Sequence, residues 1–185
     1  MALPEGGASR AALGKARKKI GSSIFRRAVQ ALHQKSSNYS AKKWKWRGHR
    51  IFAIDGTKVN VAKQLLYSKY PKVNECTHYP QALITTLFQL RSKTFVDFMV
   101  SRHNCETKNV KHHLQHLQRG DVILYDRLYC SLSVLALHAR RGIEAVFRVK
   151  TKGTLREIVK FVESGQREAF VEINCPGVQV RLRFI

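Results

Sequence analysis

Acidic residues are scarce in this sequence: 12 aspartates and glutamates stand against 34 lysines and arginines, a formal charge of +22 over 185 residues. No fold requires such an excess. A polyanionic partner does, nucleic acid phosphate first and an anionic membrane surface second. Long apolar runs are missing as well. A membrane-spanning helix needs about 20 uncharged apolar residues in a row, and no such run occurs, so no membrane partner is expected. The first residues, Met-Ala-Leu-Pro-Glu-Gly-Gly, lack the apolar core of a secretory signal, leaving a basic transit peptide as the weaker reading. Cysteines number four (Cys76, Cys105, Cys130, Cys175), and none forms a Cys-x-x-Cys pair. That excludes a zinc ribbon or thioredoxin motif and points to free thiols in a reducing interior.

What remains is globular. Hydrophobic residues make up 44% and charged residues 25%, ordinary values for a chain that folds around one core. The charge is unevenly spread. Residues 1–50 hold 13 lysines and arginines and one acid, Glu5, while residues 51–185 hold 21 and 11. Two helices are predicted in the first part: Ser9 to Gly21, with a good N-cap and a good stop, and a second after Ser22-Ser23. The second carries Ile24, Phe25, Ala28, Val29 and Leu32 as an apolar stripe, with Arg26, Arg27 and Gln30 outside it. Residues 34–49 read as a linker with a basic, aromatic tail. The segment is either a phosphate-binding module or a basic helical hairpin packed on the main domain; Arg26, Arg27, Lys43, Lys45 and Arg47 are its candidate DNA contacts. Trp44 and Trp46 suit base stacking or one face of a strand equally well.

From His49 onward the expected order is β, β, β, α, β, α, β. Ile51-Phe52-Ala53-Ile54 and Val122-Ile123-Leu124-Tyr125 lack polar alternation, as strands buried on both faces do. Each run ends in an aspartate, Asp55 and Asp126. Ala82–Leu90 and Thr94–Arg102 form a hairpin across Arg91-Ser92-Lys93, Cys105–Gln118 a helix, Ser131–Arg141 a helix stopped by Gly142, and Ile143–Val149 a strand. If the two runs lie side by side and parallel, both aspartates emerge at the carboxyl edge where open α/β sheets place their sites. Paired carboxylates there suit Mg²⁺ or Mn²⁺, and a basic protein with such a site suggests phosphodiester chemistry. Either aspartate alone reads as a turn residue, Asp55-Gly56 especially. The pair, with this topology between them, reverses that reading.

Ile54-Asp55-Gly56-Thr57, the tract Gly120–Ser131 containing Asp126-Arg127-Leu128-Tyr129-Cys130-Ser131, and Gly142–Val149 resemble the DDE transposases of the insertion-sequence-four family. The resemblance implies an RNase H-like α/β domain, a mixed sheet flanked by helices, over residues 49–152. It implies a basic helical N-terminal segment over 1–48 and the start of a β-rich insertion over 153–185. By it, Asp55 and Asp126 are the first two metal-binding and catalytic carboxylates of a two-metal Mg²⁺ (or Mn²⁺) site, and Arg127 holds a phosphate beside it. The implied activity is DNA strand cleavage and transfer. Its implied partners are transposon inverted-repeat ends and target DNA, with a homodimer or pairing to full-length copies, in the nucleoid of the cytoplasm.

The family's third acid sits in a later Tyr-Arg-Glu-Lys helix, and no tyrosine follows Tyr129 here. The resemblance therefore implies a truncated transposase of low or no activity. The alternatives are a binding-only truncated transposase and a basic nucleic-acid-binding protein without catalysis. Glu106, at the start of the first catalytic-domain helix, stands where ribonucleases H use an acid, although a solvated glutamate is the plainer reading. Glu157, Glu163 and Glu168 are further acids without a place. His112 and His116, one helical turn apart near His103, His113 and Cys105, have zinc-ligand spacing but no second Cys/His pair, so a solvated helix face is expected.

Overall fold

A long strand, β2 (His49–Asn60), organises the domain. It is preceded by helices α1 (Arg10–Lys19) and α2 (Ser23–Asn38) and by the two-residue strand β1 (Lys45–Trp46). The computed structural model describes residues 9–21, 23–38, 45–102, 105–150 and 155–185, with the side chains of 36–38 outside the description. Ser22, Lys43, Trp44 and His103 also lie outside the described residues. β3 (Gln81–Gln89) and β4 (Thr94–Ser101) follow antiparallel, then α3 (Thr107–His113), β5 (Val122–Tyr125), α4 (Leu132–Arg141) and β6 (Glu144–Phe147). The strand order is β4-β3-β2-β5-β6, with β2, β5 and β6 mutually parallel. This is a mixed sheet flanked by helices, the α/β class expected.

Local chemistry explains most boundaries. Ser9 caps α1 through its hydroxyl, which accepts from Ala12 N at 3.1 Å, and Ser131 caps α4 likewise through Val134 N. Gly142 ends α4 in the left-handed conformation that a side chain would disfavour. The β1–β2 hairpin turns on Arg47-Gly48, both at positive φ, the geometry of a tight hairpin. Arg50 at the start of β2 grips the buried Asp121 at the start of β5, Nε to Oδ1 at 2.8 Å and Nη2 to Oδ2 at 2.5 Å.

Phe52, Ile54, Leu87, Ile123 and Tyr125 meet Val110 of α3, Leu114 in the turn that follows it and Val134 of α4 in one core, so both helices cover the same face of the sheet. The apolar runs are therefore not buried on both faces. Leu124 and Val146 remain 38% and 54% exposed because, among the described residues, no helix of this core lies over the other face. β2 also runs past Asp55, as the antiparallel ladder with β3 carries it from Asp55↔Thr86 to Asn60↔Gln81. After α5 (Arg156–Ser164), the hairpin of β7 (Ala169–Cys175) and β8 (Val178–Phe184) packs a second core, Ile173 and Cys175, against Leu135 and Ala136 of α4.

α2 docks differently from its apolar pattern. It lies on β4, where Arg26 reaches Asp97 and His33 reaches Thr94, with Val29 and Gln30 half-buried on the same side, while Ile24, Phe25 and Leu32 are exposed. The reason is polar: Arg26 binds Asp97 of β4, 71 residues away.

Candidate active site

The parallel ladder between β2 and β5 runs from Ile51↔Val122 to Ile54↔Tyr125, and the next residue on each strand is an aspartate. Asp55 and Asp126 thus share the carboxyl edge of neighbouring strands, and both are exposed. Asp55 Oδ1 accepts from Gly56 N at 2.8 Å. Asp126 caps the short 3₁₀ turn Arg127–Tyr129 with extended backbone, and its side chain makes no capping bond, so its carboxylate stays free of the turn it begins. In a chain with 34 lysines and arginines, neither carboxylate has an ion-pair partner among the described residues.

The floor of this edge is aromatic, with Tyr125 and Tyr129 buried. Tyr125 and Tyr129 lie with ring centroids 5.1 Å apart, and Tyr125 stacks on Phe147 at 4.9 Å. The Tyr125 hydroxyl meets His138 Nε2 at 2.8 Å, and His138 Nδ1 donates to the Ile143 carbonyl at 2.9 Å, which fixes the tautomer. Burial lowers the pKa of His138 against the opposing pull of that carbonyl, keeping the ring neutral. Tyr129 is fully buried, and its hydroxyl has no hydrogen-bond partner of good geometry among the described residues. Burial first, then the nearby Glu106 and Asp55 carboxylates, push its pKa well up.

Glu106, just before α3, is not a solvated surface residue. It is half-buried, and its side chain lies flat on Gly56: a Cβ at that position would meet Glu106 Cδ at 2.5 Å and Oε1 at 2.9 Å. The glycine after Asp55 is what lets a third carboxylate approach the edge. Sequence spacing carried only the hint that a helix-start acid faces such sites.

The candidate cations divide. Arg127 is exposed and lines an open cleft of about 540 Å³ with Ser131, Ser133 and Lys150. Arg27, Lys45 and Arg47 are exposed, with the Arg47 guanidinium 5.1 Å over the ring of the exposed Trp46. The guanidinium of Arg26 is engaged by Asp97, and Lys43 lies outside the described residues. His112 and His116 do not form a solvated face, because they turn toward the buried Asp97. Asp97 escaped sequence reasoning, although a lone carboxylate inside Phe95-Val96-Asp97-Phe98-Met99 is the signal that reveals it.

As a metal site, Asp55 and Asp126 offer the hard oxygen donors that Mg²⁺ or Mn²⁺ prefers, exposed and without an ion-pair partner among the described residues. The fit is partial, since Asp55, Asp126 and Glu106 are not drawn into one tight trio. Among the described residues, the group of three such side chains with ligand atoms within 4.8 Å of one another is Asp97, His112 and His116.

Residues 46–177 match the transposase DDE domain family. No curated protein matches the sequence. Among solved structures, a piggyBac transposase synaptic complex with hairpin DNA is similar at 12% identity and a TM-score of 0.47, over 72% of this chain and 32% of that one. A simian T-cell lymphotropic virus intasome in complex with the PP2A regulatory subunit B56 gamma is similar at 15% identity and a TM-score of 0.38, over 63% and 37%. The chain spans about a third of the length of each.

Proposed function

The chain belongs to the transposase DDE domain family, and from that premise we propose that it acts on DNA in transposition, as a member of the insertion-sequence-four group, with Asp55 and Asp126 as its metal-holding, catalytic carboxylates. The observation that carries the reading is the pair itself: two carboxylates at one sheet edge, without a cationic partner among the described residues, in a chain of charge +22. Like charges left unpaired in so basic a protein are a seat for a divalent cation. When bound there, Mg²⁺ or Mn²⁺ supplies activation of a water or 3′-hydroxyl and stabilisation of the leaving oxygen. The chain's own residues do the rest. Asp55, within β2 where its ladder with β5 stops, and Asp126, just past the end of β5, hold out their carboxylates side by side in the register of the two strands. Glu106 adds negative charge from α3, and Arg127 with Lys150 lines the cleft that receives a backbone phosphate. Arg27, Lys45 and Arg47 extend the phosphate contacts along the duplex. Transposon ends and target DNA are the proposed partners, with a second copy of the chain bridging two ends.

A second reading, DNA binding without cleavage, is favoured by one feature: the three acids of this edge do not converge. Nicking of supercoiled plasmid in Mn²⁺ separates the two. Nicking that falls to the metal-free background in both Asp55→Asn and Asp126→Asn establishes the enzyme. Gel shifts on inverted-repeat DNA without nicking establish the binder. Neither nicking nor a gel shift sinks both.

A further inference from the structure

Away from the sheet edge, one carboxylate stands at the centre of a crowd. Asp97 on β4 has no exposed side-chain surface, and four groups surround its Oδ2: Arg26 Nη2 at 2.8 Å, His112 Nε2 at 2.9 Å, His116 Nε2 at 3.2 Å and, further off, His113 Nδ1 at 3.7 Å. Arg26 Nε completes a fork on Oδ1 at 2.7 Å. Burial works against ionisation, but Arg26 and His116 beside it hold the Asp97 carboxyl far below the usual carboxylate range. Arg26 Nη2 also contacts His112 Nε2 directly. His116 Nε2 is itself buried and makes no hydrogen bond of good geometry among the described residues. Two imidazole nitrogens and one carboxylate oxygen therefore face one point, with a single guanidinium arm among them.

The spacing admits a metal ion, since the three ligand atoms all lie within 4.8 Å of one another. A tetrahedral zinc-class ion with bonds of about 2.1 Å keeps its ligands about 3.4 Å apart, close to the 2.9 and 3.2 Å between each imidazole and Oδ2. Histidines four residues apart supply two nitrogens from one face, and β4 supplies the oxygen. Imidazole and carboxylate together suit Zn²⁺, Co²⁺ or Ni²⁺ rather than Mg²⁺.

We propose that Asp97, His112 and His116 form a transition-metal site, distinct from the sheet edge, in whose place the Arg26 guanidinium now lies. Metal binding and docking of α2 are then mutually exclusive. With α2 docked, Arg26 neutralises the buried carboxylate. With a divalent ion in place, Arg26 must leave, and α2, which also meets β4 through His33 Nδ1 and Thr94 Oγ1 at 3.2 Å, loses its fork on Asp97. The site would make the position of a basic helix answer to a zinc-class ion.

The test uses untagged full-length protein titrated with Co²⁺, read by visible d–d absorption, and then with Zn²⁺ as displacing ion. Arg26→Gln is expected to bind one equivalent at least about tenfold more tightly than wild type, and adding His112→Gln or His116→Gln is expected to weaken it by at least about tenfold. As a check on the unmutated chain, Zn²⁺ should accelerate tryptic cleavage within residues 23–38 of wild type and not of His112→Gln. The metal site is overturned if Arg26→Gln gives no tetrahedral Co²⁺ spectrum, or if the spectrum survives loss of either histidine. Equal affinity in wild type and Arg26→Gln, or Zn²⁺-independent cleavage of wild type, overturns the exclusion.

Discussion

Gly56 shows how much a single missing side chain can decide. Alanine there drives its Cβ into Glu106, and because the obstacle is a jointed side chain, the glutamate gives way rather than the strand. Gly56→Ala should cost about 1 kcal/mol in thermal unfolding, and Glu106→Ala in the same background should recover part of it. That non-additive pair is the signature of contact. His138 acts at the same scale. His138→Phe strands the Tyr125 hydroxyl and the Ile143 carbonyl, and should cost about 1–3 kcal/mol. Its pH sign follows from its lowered pKa. Between the ordinary histidine value of 6.5 and the lower folded one, the unfolded chain holds the extra proton, so stability falls as pH drops below about 6.5. Urea titrations at neutral and mildly acid pH should show that slope in wild type and a shallower one in His138→Phe.

Among the elements, α2 is the one whose sequence pattern misleads. Ile24, Phe25 and Leu32 keep helical spacing, but they stay exposed because the Arg26–Asp97 pair rotates the opposite stripe onto β4. Leu32→Lys should therefore change the melting temperature little, within about 0.5 kcal/mol, whereas a buried stripe would lose several times that. Elements marked by local chemistry were legible in advance: Ser9, Ser131 and Gly142 mark helix ends, and alternation or its lack marks the strands. The two aspartates were legible for the same reason, each closing an apolar run. What stayed hidden depends on contacts far along the chain. Asp55-Gly56 looks like a turn until β3 is known to pair with it through Asn60. Glu106 looks solvated until it is known to rest on Gly56, and His112 and His116 look like a surface face until β4 brings Asp97 beneath them.

Across the whole molecule, charge governs. DNA affinity should fall steeply and linearly on a log–log plot against salt, and each of Arg27→Ala, Lys45→Ala and Arg47→Ala should reduce the slope by about 1, read by fluorescence anisotropy. Arg26→Ala should not, since its charge is already neutralised at Asp97. The Arg50–Asp121 pair has a consequence of another kind. Four residues separate Arg50 from Asp55, and four separate Asp121 from Asp126. The two strands are arms of equal length, clasped at one end and carrying the acids at the other. Gene copies of this domain should tolerate many substitutions within 51–54 and 122–125 but no single-codon insertion or deletion. One lost residue in either arm leaves the clasp or the acids aligned, never both.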